Sequence, residues 1–332
     1  MRFLDIRKVI FLKRCAVSIL TAILLTVGVF GEERSGYIKW IDFDVTAQAM
    51  KDALAADVAS HDSACPLDWI ALLSALGAKY GGDFRAYKKA DLDKLAETAS
   101  AGTPLRDCTS NQKLYDYYLQ AYGAVLGGMA GAYTEFREEN GTTVSEQKYG
   151  LIACSPIASG YYYNHYDDFG ASRSYGYRRP HLGHDLLGSV GTPVVAVEGG
   201  RVEACGWNQY GGWRIGIRSF DGLRYYYYAH LRKDHPYNDI YEGKMVCAGE
   251  VIGYLGMTGY SAKENVNNID TPHLHYGLQI IFDKSQKDGN NQIWIDLYEL
   301  TKFLYANRVP VEKEASGDYR SLRFAEAAYS PD

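Results

Sequence analysis

The sequence carries little excess charge of either sign: 35 Lys and Arg against 40 Asp and Glu leave a formal net charge of −5. That weak acidity gives no electrostatic footprint for general nucleic-acid binding. Cysteine is sparse, six in 332 residues, and no Cys-x-x-Cys occurs, so the cysteines take no metal role. No His-Glu-x-x-His is present, which excludes the common helix-borne zinc protease plan. No tandem repeat is evident. A mean hydropathy of −0.27 excludes a polytopic membrane protein. With 47% hydrophobic and 23% charged residues, disorder, collagen and coiled coil fail as whole-chain readings.

What remains is a globular chain long enough for two domains. Tyrosine is abundant, at 29, and seven of the eight histidines lie after position 160. Tyrosine buries a large ring and still offers a hydroxyl to a wet surface.

The one long uncharged run is N-terminal. Arg2, Arg7, Lys8, Lys13 and Arg14 precede the uncharged residues Cys15–Gly31, and Glu32-Glu33 follow. A basic flank, an apolar core and then acidic residues predict export, with 1–33 acting as a signal peptide or as an anchor in the cytoplasmic membrane. Gly31 makes a passable cleavage site, although no Ala-x-Ala is present. The five remaining cysteines, Cys65, Cys108, Cys154, Cys205 and Cys247, allow at most two disulfides. Cys65 with Cys108 and Cys205 with Cys247 are the nearest pairings, and spacing proves neither.

Residues 34–135 read as a helical domain. An Ala-rich periodic run spans 45–58, and Pro66 opens a second apolar stripe through Leu76 that Gly81-Gly82 stops. Two further helices are expected over Asp91–Ala99 and Asn111–Tyr133. In the latter, Tyr115, Tyr118, Leu119, Tyr122 and Leu126 recur at core-face spacing. The polar stretch 136–160 reads as a linker. Short β-forming segments then alternate with turns: 193–197, 200–204, 213–217 and 223–230, with Asp221-Gly222 as a hairpin dipeptide. The fold class expected is therefore α+β and multidomain: an export segment, the helical domain, and an antiparallel all-β domain over 161–290. A C-terminal helix (Ile293–Asn307) and polar tail complete 291–332.

Chemistry concentrates in three places. In the strand pattern 273–282, alternation puts Leu274, Tyr276, Leu278, Ile280 and Phe282 on one face and His273, His275, Gly277 and Gln279 on the other. Two neighbouring imidazoles, each with an ordinary pKa of about 6.5, repel if both are charged; a metal ion or a proton-transfer role removes the conflict. In His181-Leu182-Gly183-His184-Asp185, His181 and Asp185 share a face while His184 points elsewhere. An imidazole and a carboxylate so placed begin a zinc site. Finally, His230 ends the run Tyr225-Tyr226-Tyr227-Tyr228-Ala229, on the face of Tyr226 and Tyr228. Three ligands make a catalytic zinc site, so five candidates leave groups over for acid–base work.

The order of these pieces resembles the lysostaphin-type, or LytM-type, zinc metallopeptidases, which cleave the peptides of peptidoglycan. The matching segments are His181–Leu186, Gly191-Thr192-Pro193-Val194, Gly200-Arg201-Val202, Tyr228-Ala229-His230-Leu231, Gly249–Gly253, Gly256-Met257-Thr258-Gly259 and Pro272-His273-Leu274-His275. The resemblance implies a compact antiparallel β fold with its site in a groove. It implies His181, Asp185 and His275 as zinc ligands, with His230 and His273 as catalytic residues beside them. It further implies stem peptides or cross-bridges of peptidoglycan as substrate. Gly277 departs from the pattern, where Glu is frequent, and is expected to widen the groove. The helical half lies outside the resemblance. A non-catalytic wall-binding or partner-activating protein of the same fold is the alternative.

Overall fold

A computed structural model describes residues 39–328, apart from 42, 175–177, 284–285 and 287–290. The export segment expected over 1–33 lies outside these residues. Among the described residues, no helix is long and apolar enough to cross a membrane.

Four helices form in the first half, and at three of them the sequence supplies a side-chain N-cap. Helix α1 (Ala47–Ser60) starts at Thr46, whose hydroxyl accepts the Ala49 N–H at 3.3 Å. Helix α2 (Trp69–Tyr80) starts at Asp68, which accepts the Ala71 N–H at 2.6 Å, and stops at Gly81 with φ of 64°. These caps satisfy backbone groups that a helix end leaves unpaired. Helix α3 is Lys89–Ser100, and α4 is Gln112–Leu126, capped by Asn111. The helix expected to reach Tyr133 ends seven residues earlier, at Gly127-Gly128. Gly128 has φ of +76°, and a Cβ there would lie 2.6 Å from Glu198 and 2.7 Å from Arg224. Within the expected apolar stripe, Tyr115, Tyr122 and Leu126 are buried, but Leu119 is 38% exposed.

The stretch expected as a linker instead holds a hairpin, β2 (Ala130–Glu139) with β3 (Thr142–Leu151). Its turn is Asn140-Gly141, both at positive φ, the pairing that two-residue hairpins favour. Polar strands hid it, since neither strand shows an apolar alternation.

The principal sheet places the chemistry. Strands β4 (His184–Leu187), β5 (Gly200–Asn208), β6 (Gly212–Ser219), β7 (Arg224–Ala229) and β8 (His273–Ile280) are antiparallel to their neighbours, in the order β4, β8, β7, β6, β5. Strand β9 (Ile293–Ile295) pairs with the far half of β8, and β1 (Lys39–Ile41) adds to β9 in parallel. The region expected to be helical from Ile293 thus opens as a strand; helix α5 is Tyr298–Leu304. The polar tail is also structured, with a hairpin at 311–321 and β10 (Arg323–Ala327) paired to β2.

One hydrophobic core joins Met50, Leu72 and Leu126 of the helices to Tyr226, Leu274 and Leu278 of the sheet. Beside it, Arg224 is 1% exposed and donates to Glu198 at 2.8 Å and to the Ala124 carbonyl at 3.2 Å. Tyr226 donates to the same carboxylate at 2.6 Å. Arg224 thus pairs with Glu198 and, through the Ala124 carbonyl, ties β7 to the last turn of α4. The five cysteines are free thiols, so neither nearest-neighbour disulfide forms.

Candidate metal centre

Alternation on β8 works as its sequence predicts. Leu274, Tyr276, Leu278 and Ile280 are buried in the core, and His273 and His275 stand on the opposite face. Phe282 departs from the pattern: the strand ends at Ile280, and its ring is 56% exposed. On β4, Asp185 pairs directly with His275 and Leu187 with His273. Cross-strand partners share a face, so this register brings the carboxylate and both imidazoles together. His184 falls on the core side, fully buried, with Nε2 2.8 Å from Asp296.

Two glycines make the approach possible. A Cβ on Gly183 would meet the Tyr276 carbonyl at 2.7 Å and the His275 ring at 2.8 Å. A Cβ on Gly277 would meet the Trp294 ring at 2.7 Å and the Leu182 carbonyl at 3.0 Å. The expectation that Gly277 widens the groove is therefore corrected: the indole of Trp294 occupies that space.

His230 reaches the site by breaking the strand rule. Tyr226 and Tyr228, expected to share its face, are fully buried against Tyr276, while Tyr227 stands 5.9 Å from the His275 ring. Alternation alone would send His230 into the core. Its φ of 60°, a left-handed conformation rare outside glycine, turns the ring back towards His273 at 4.8 Å and His275 at 5.8 Å.

Three donor atoms converge. His181 Nε2 lies 3.0 Å from Asp185 Oδ1 and 2.9 Å from His275 Nδ1, and the last two are 3.2 Å apart. A tetrahedral zinc site with N and O ligands at about 2.0–2.2 Å has edges near this length, so the donor set fits zinc. His230 donates from Nδ1 to the Thr258 carbonyl and His273 from Nδ1 to the Thr271 carbonyl, each at 2.8 Å. Each ring then turns Nε2 away from its anchor; that of His273 is 3.6 Å from Asp185.

Two residues escaped the sequence reading. Asp168 Oδ2 is 3.2 Å from His181 Nδ1, and Arg173 reaches Asp168 at 2.7 Å and Asp185 at 3.0 Å. Asp168 comes from the loop before His181 and Arg173 from a short strand, Ser172–Arg173, paired with Arg179–Pro180; neither has a spacing signal. They set the charge balance. Burial opposes a charge on His181, yet its contacts with Asp168 and Asp185 raise it to about 9. Burial also opposes ionisation of Asp185, but hydrogen bonds from His181 and His275 hold it well below the usual carboxylate range. Burial pushes His275 down to about 4 against the pull of Asp185. Burial, then the neighbouring His273 and His275, push His230 well below its ordinary value.

Residues 179–292, which span the ligands and both further histidines, match the family model for peptidase family M23. The chain carries a peptidase family M23 domain. Over 123 residues this domain is 41% identical to the L-Ala--D-Glu endopeptidase of Bacillus subtilis, covering 37% of this chain and 36% of that protein. Over 97 residues it is 40% identical to lysostaphin of Staphylococcus simulans, covering 29% of this chain and 17% of that protein. The chain thus spans about a third, or less, of the curated relatives it matches. A crystal structure of a candidate glycyl-glycine endopeptidase, lytM, from Ruminococcus gnavus shares the fold. Its TM-score is 0.53 at 21% identity, covering 80% of this chain and 90% of that one.

His61, His165 and His235 stand outside the M23 centre. His61 stacks on Tyr149, half-buried His165 packs beside His184, and His235 contacts Asp318.

Proposed function

We propose that this chain is a zinc endopeptidase that hydrolyses peptide bonds in the stem peptides or cross-bridges of peptidoglycan. One observation carries the reading: three ligand-type atoms converge within 3.2 Å of each other beside two histidines that are not needed as ligands. A structural zinc site is closed by four protein ligands, whereas a catalytic one keeps a position open.

His181, Asp185 and His275 would hold the ion. Bound zinc supplies Lewis acidity, which polarises a carbonyl and brings the pKa of water towards neutrality. The chain's own groups handle protons. Because its Nδ1 hydrogen is engaged by Thr258, a neutral His230 accepts a proton at Nε2 and donates only once charged. His273, anchored on Thr271, has the same polarity. One ring therefore serves as general base and then passes its proton to the leaving amine, while the other, when protonated, donates to the developing oxyanion.

The basic flank and apolar run 15–31 support export of the chain to the wall side of the membrane, with 1–33 either removed or retained as an anchor. Incubating the zinc-loaded protein with purified walls of several chemotypes, followed by mass spectrometry of released peptides, tests the activity. New peptide termini are expected; their absence in every wall type, with zinc bound stoichiometrically, overturns the reading.

A further inference from the structure

The M23 centre runs on, along the same face of β4 and β8, into a cavity of about 410 Å³. The Asp185–His275 pair holds the metal position, the Leu187–His273 pair comes next, and the cavity begins immediately beyond. Leu187, Gly188, Thr271 and Pro272 line its near end, and Gly160, Tyr161, Tyr162, Asn164, Ser189 and Thr192 line the rest. The Gly188 N–H donates to the Pro272 carbonyl, and the Thr271 carbonyl is the anchor of His273, so this end is tied to the catalytic strand.

No lining residue carries a charge, which disfavours an acidic or basic peptide side chain as occupant. The lining instead combines the hydroxyls of Ser189, Thr192 and Thr271 and one carboxamide with two tyrosines, Tyr161 and the 77% exposed Tyr162. Tyr162 donates its hydroxyl to Asn164, leaving the carboxamide NH2 of Asn164 oriented by that contact. An exposed ring edged by neutral donors and acceptors suits a ligand with one apolar face and a polar rim. Among the components of peptidoglycan, the N-acetylated amino sugar has that character.

We infer that this cavity is a saccharide subsite, which seats the amino sugar bearing the stem peptide while the peptide crosses the metal centre. The inference rests on the proposed peptidoglycan activity and narrows it. Thr271 is two residues from His273, at most about 7 Å along an extended chain. A sugar held there puts the cleaved bond within the first residues of the stem, and a distal cross-bridge falls out of reach.

The test uses paired ligands, a muropeptide and the same peptide without its sugar, with the zinc-loaded full chain and its Tyr162→Ala variant. Wild type should cleave the sugar-bearing substrate with at least tenfold higher kcat/KM. Tyr162→Ala should remove most of that advantage through KM and leave the sugar-free peptide unchanged. Equal cleavage of both by wild type, or an equal loss on both in the variant, overturns the subsite. Calorimetric binding of the same two ligands to His230→Ala keeps the test independent of turnover. Sugar-dependent binding lost in His230→Ala/Tyr162→Ala supports the subsite even if no wall peptide is cleaved, an outcome that would sink the endopeptidase reading alone. Binding insensitive to the sugar overturns the subsite whatever the hydrolysis shows.

Discussion

Asp168 Oδ2 lies 3.2 Å from Nδ1 of His181, on the opposite side of the imidazole from the Nε2 that faces Asp185 and His275. A carboxylate in that position fixes the ring's orientation and tautomer and raises the basicity of the ligating nitrogen. Replacing Asp168 with Ala is therefore expected to weaken zinc binding by about 10–100-fold. Competition against a chelator of known affinity reads this directly. An unchanged affinity would mean that His181 is positioned by packing alone.

Proton competition gives the zinc affinity its pH dependence. In the zinc-free site His181 stays protonated up to about pH 9, while His275, pushed down to about 4, is already neutral at pH 7. Zinc must displace the His181 proton, so affinity should drop as pH falls from 9 to 6, by roughly tenfold per unit. Calorimetry in buffers of different ionisation enthalpy should find about one proton released per zinc at pH 7. A pH-independent affinity over that range contradicts the Asp168–His181–Asp185 arrangement.

His230→Ala and His273→Ala should separate metal binding from proton transfer. Each is expected to keep one zinc and to lose about 10²–10⁴-fold in kcat, the range for a general acid or base. Loss of zinc in either variant would move that histidine into the ligand set.

Gly183 is a steric requirement of the centre. Gly183→Ala places a methyl 2.7 Å from the Tyr276 carbonyl and 2.8 Å from the His275 ring. Zinc affinity should fall, and overpacking should cost about 1–3 kcal/mol of stability. A variant that melts and binds zinc like wild type would show that the strand can shift without cost.

Removal of Arg224 should be felt far from the site. Arg224→Ala leaves Glu198, 7% exposed, without its ionic partner, and breaks the tie to Ala124 at the end of α4. Breaking a buried pair on one side costs about 3–5 kcal/mol, which denaturant titration resolves.

The legible parts of the sequence were those where a local rule and the tertiary structure agree. Alternation in 273–280 gave the face of His273 and His275; His181 and Asp185 do converge, but His181 precedes the strand His184–Leu187 that carries Asp185, so strand alternation does not place it. His230 met its partners for a reason that alternation does not contain, its left-handed backbone. Asp168 and Arg173 were illegible because their roles depend on how the loop and the short strand pair before His181 fold against it. Gly277 was misread since the indole that needs its space, Trp294, arrives from a strand seventeen residues on. The hairpin at 130–151 was hidden by polar strands, although Asn140-Gly141 marked its turn.

The central claim is that one zinc, held by His181, Asp185 and His275, works with His230 and His273 to cleave wall peptides. Mass spectrometry of peptides released from purified wall, by wild type and by His230→Ala at equal zinc content, tests it most directly. New stem-peptide termini with wild type, and near-background release with the variant, are the expected result. Equal release by both, or none by a fully zinc-loaded wild type, would contradict it.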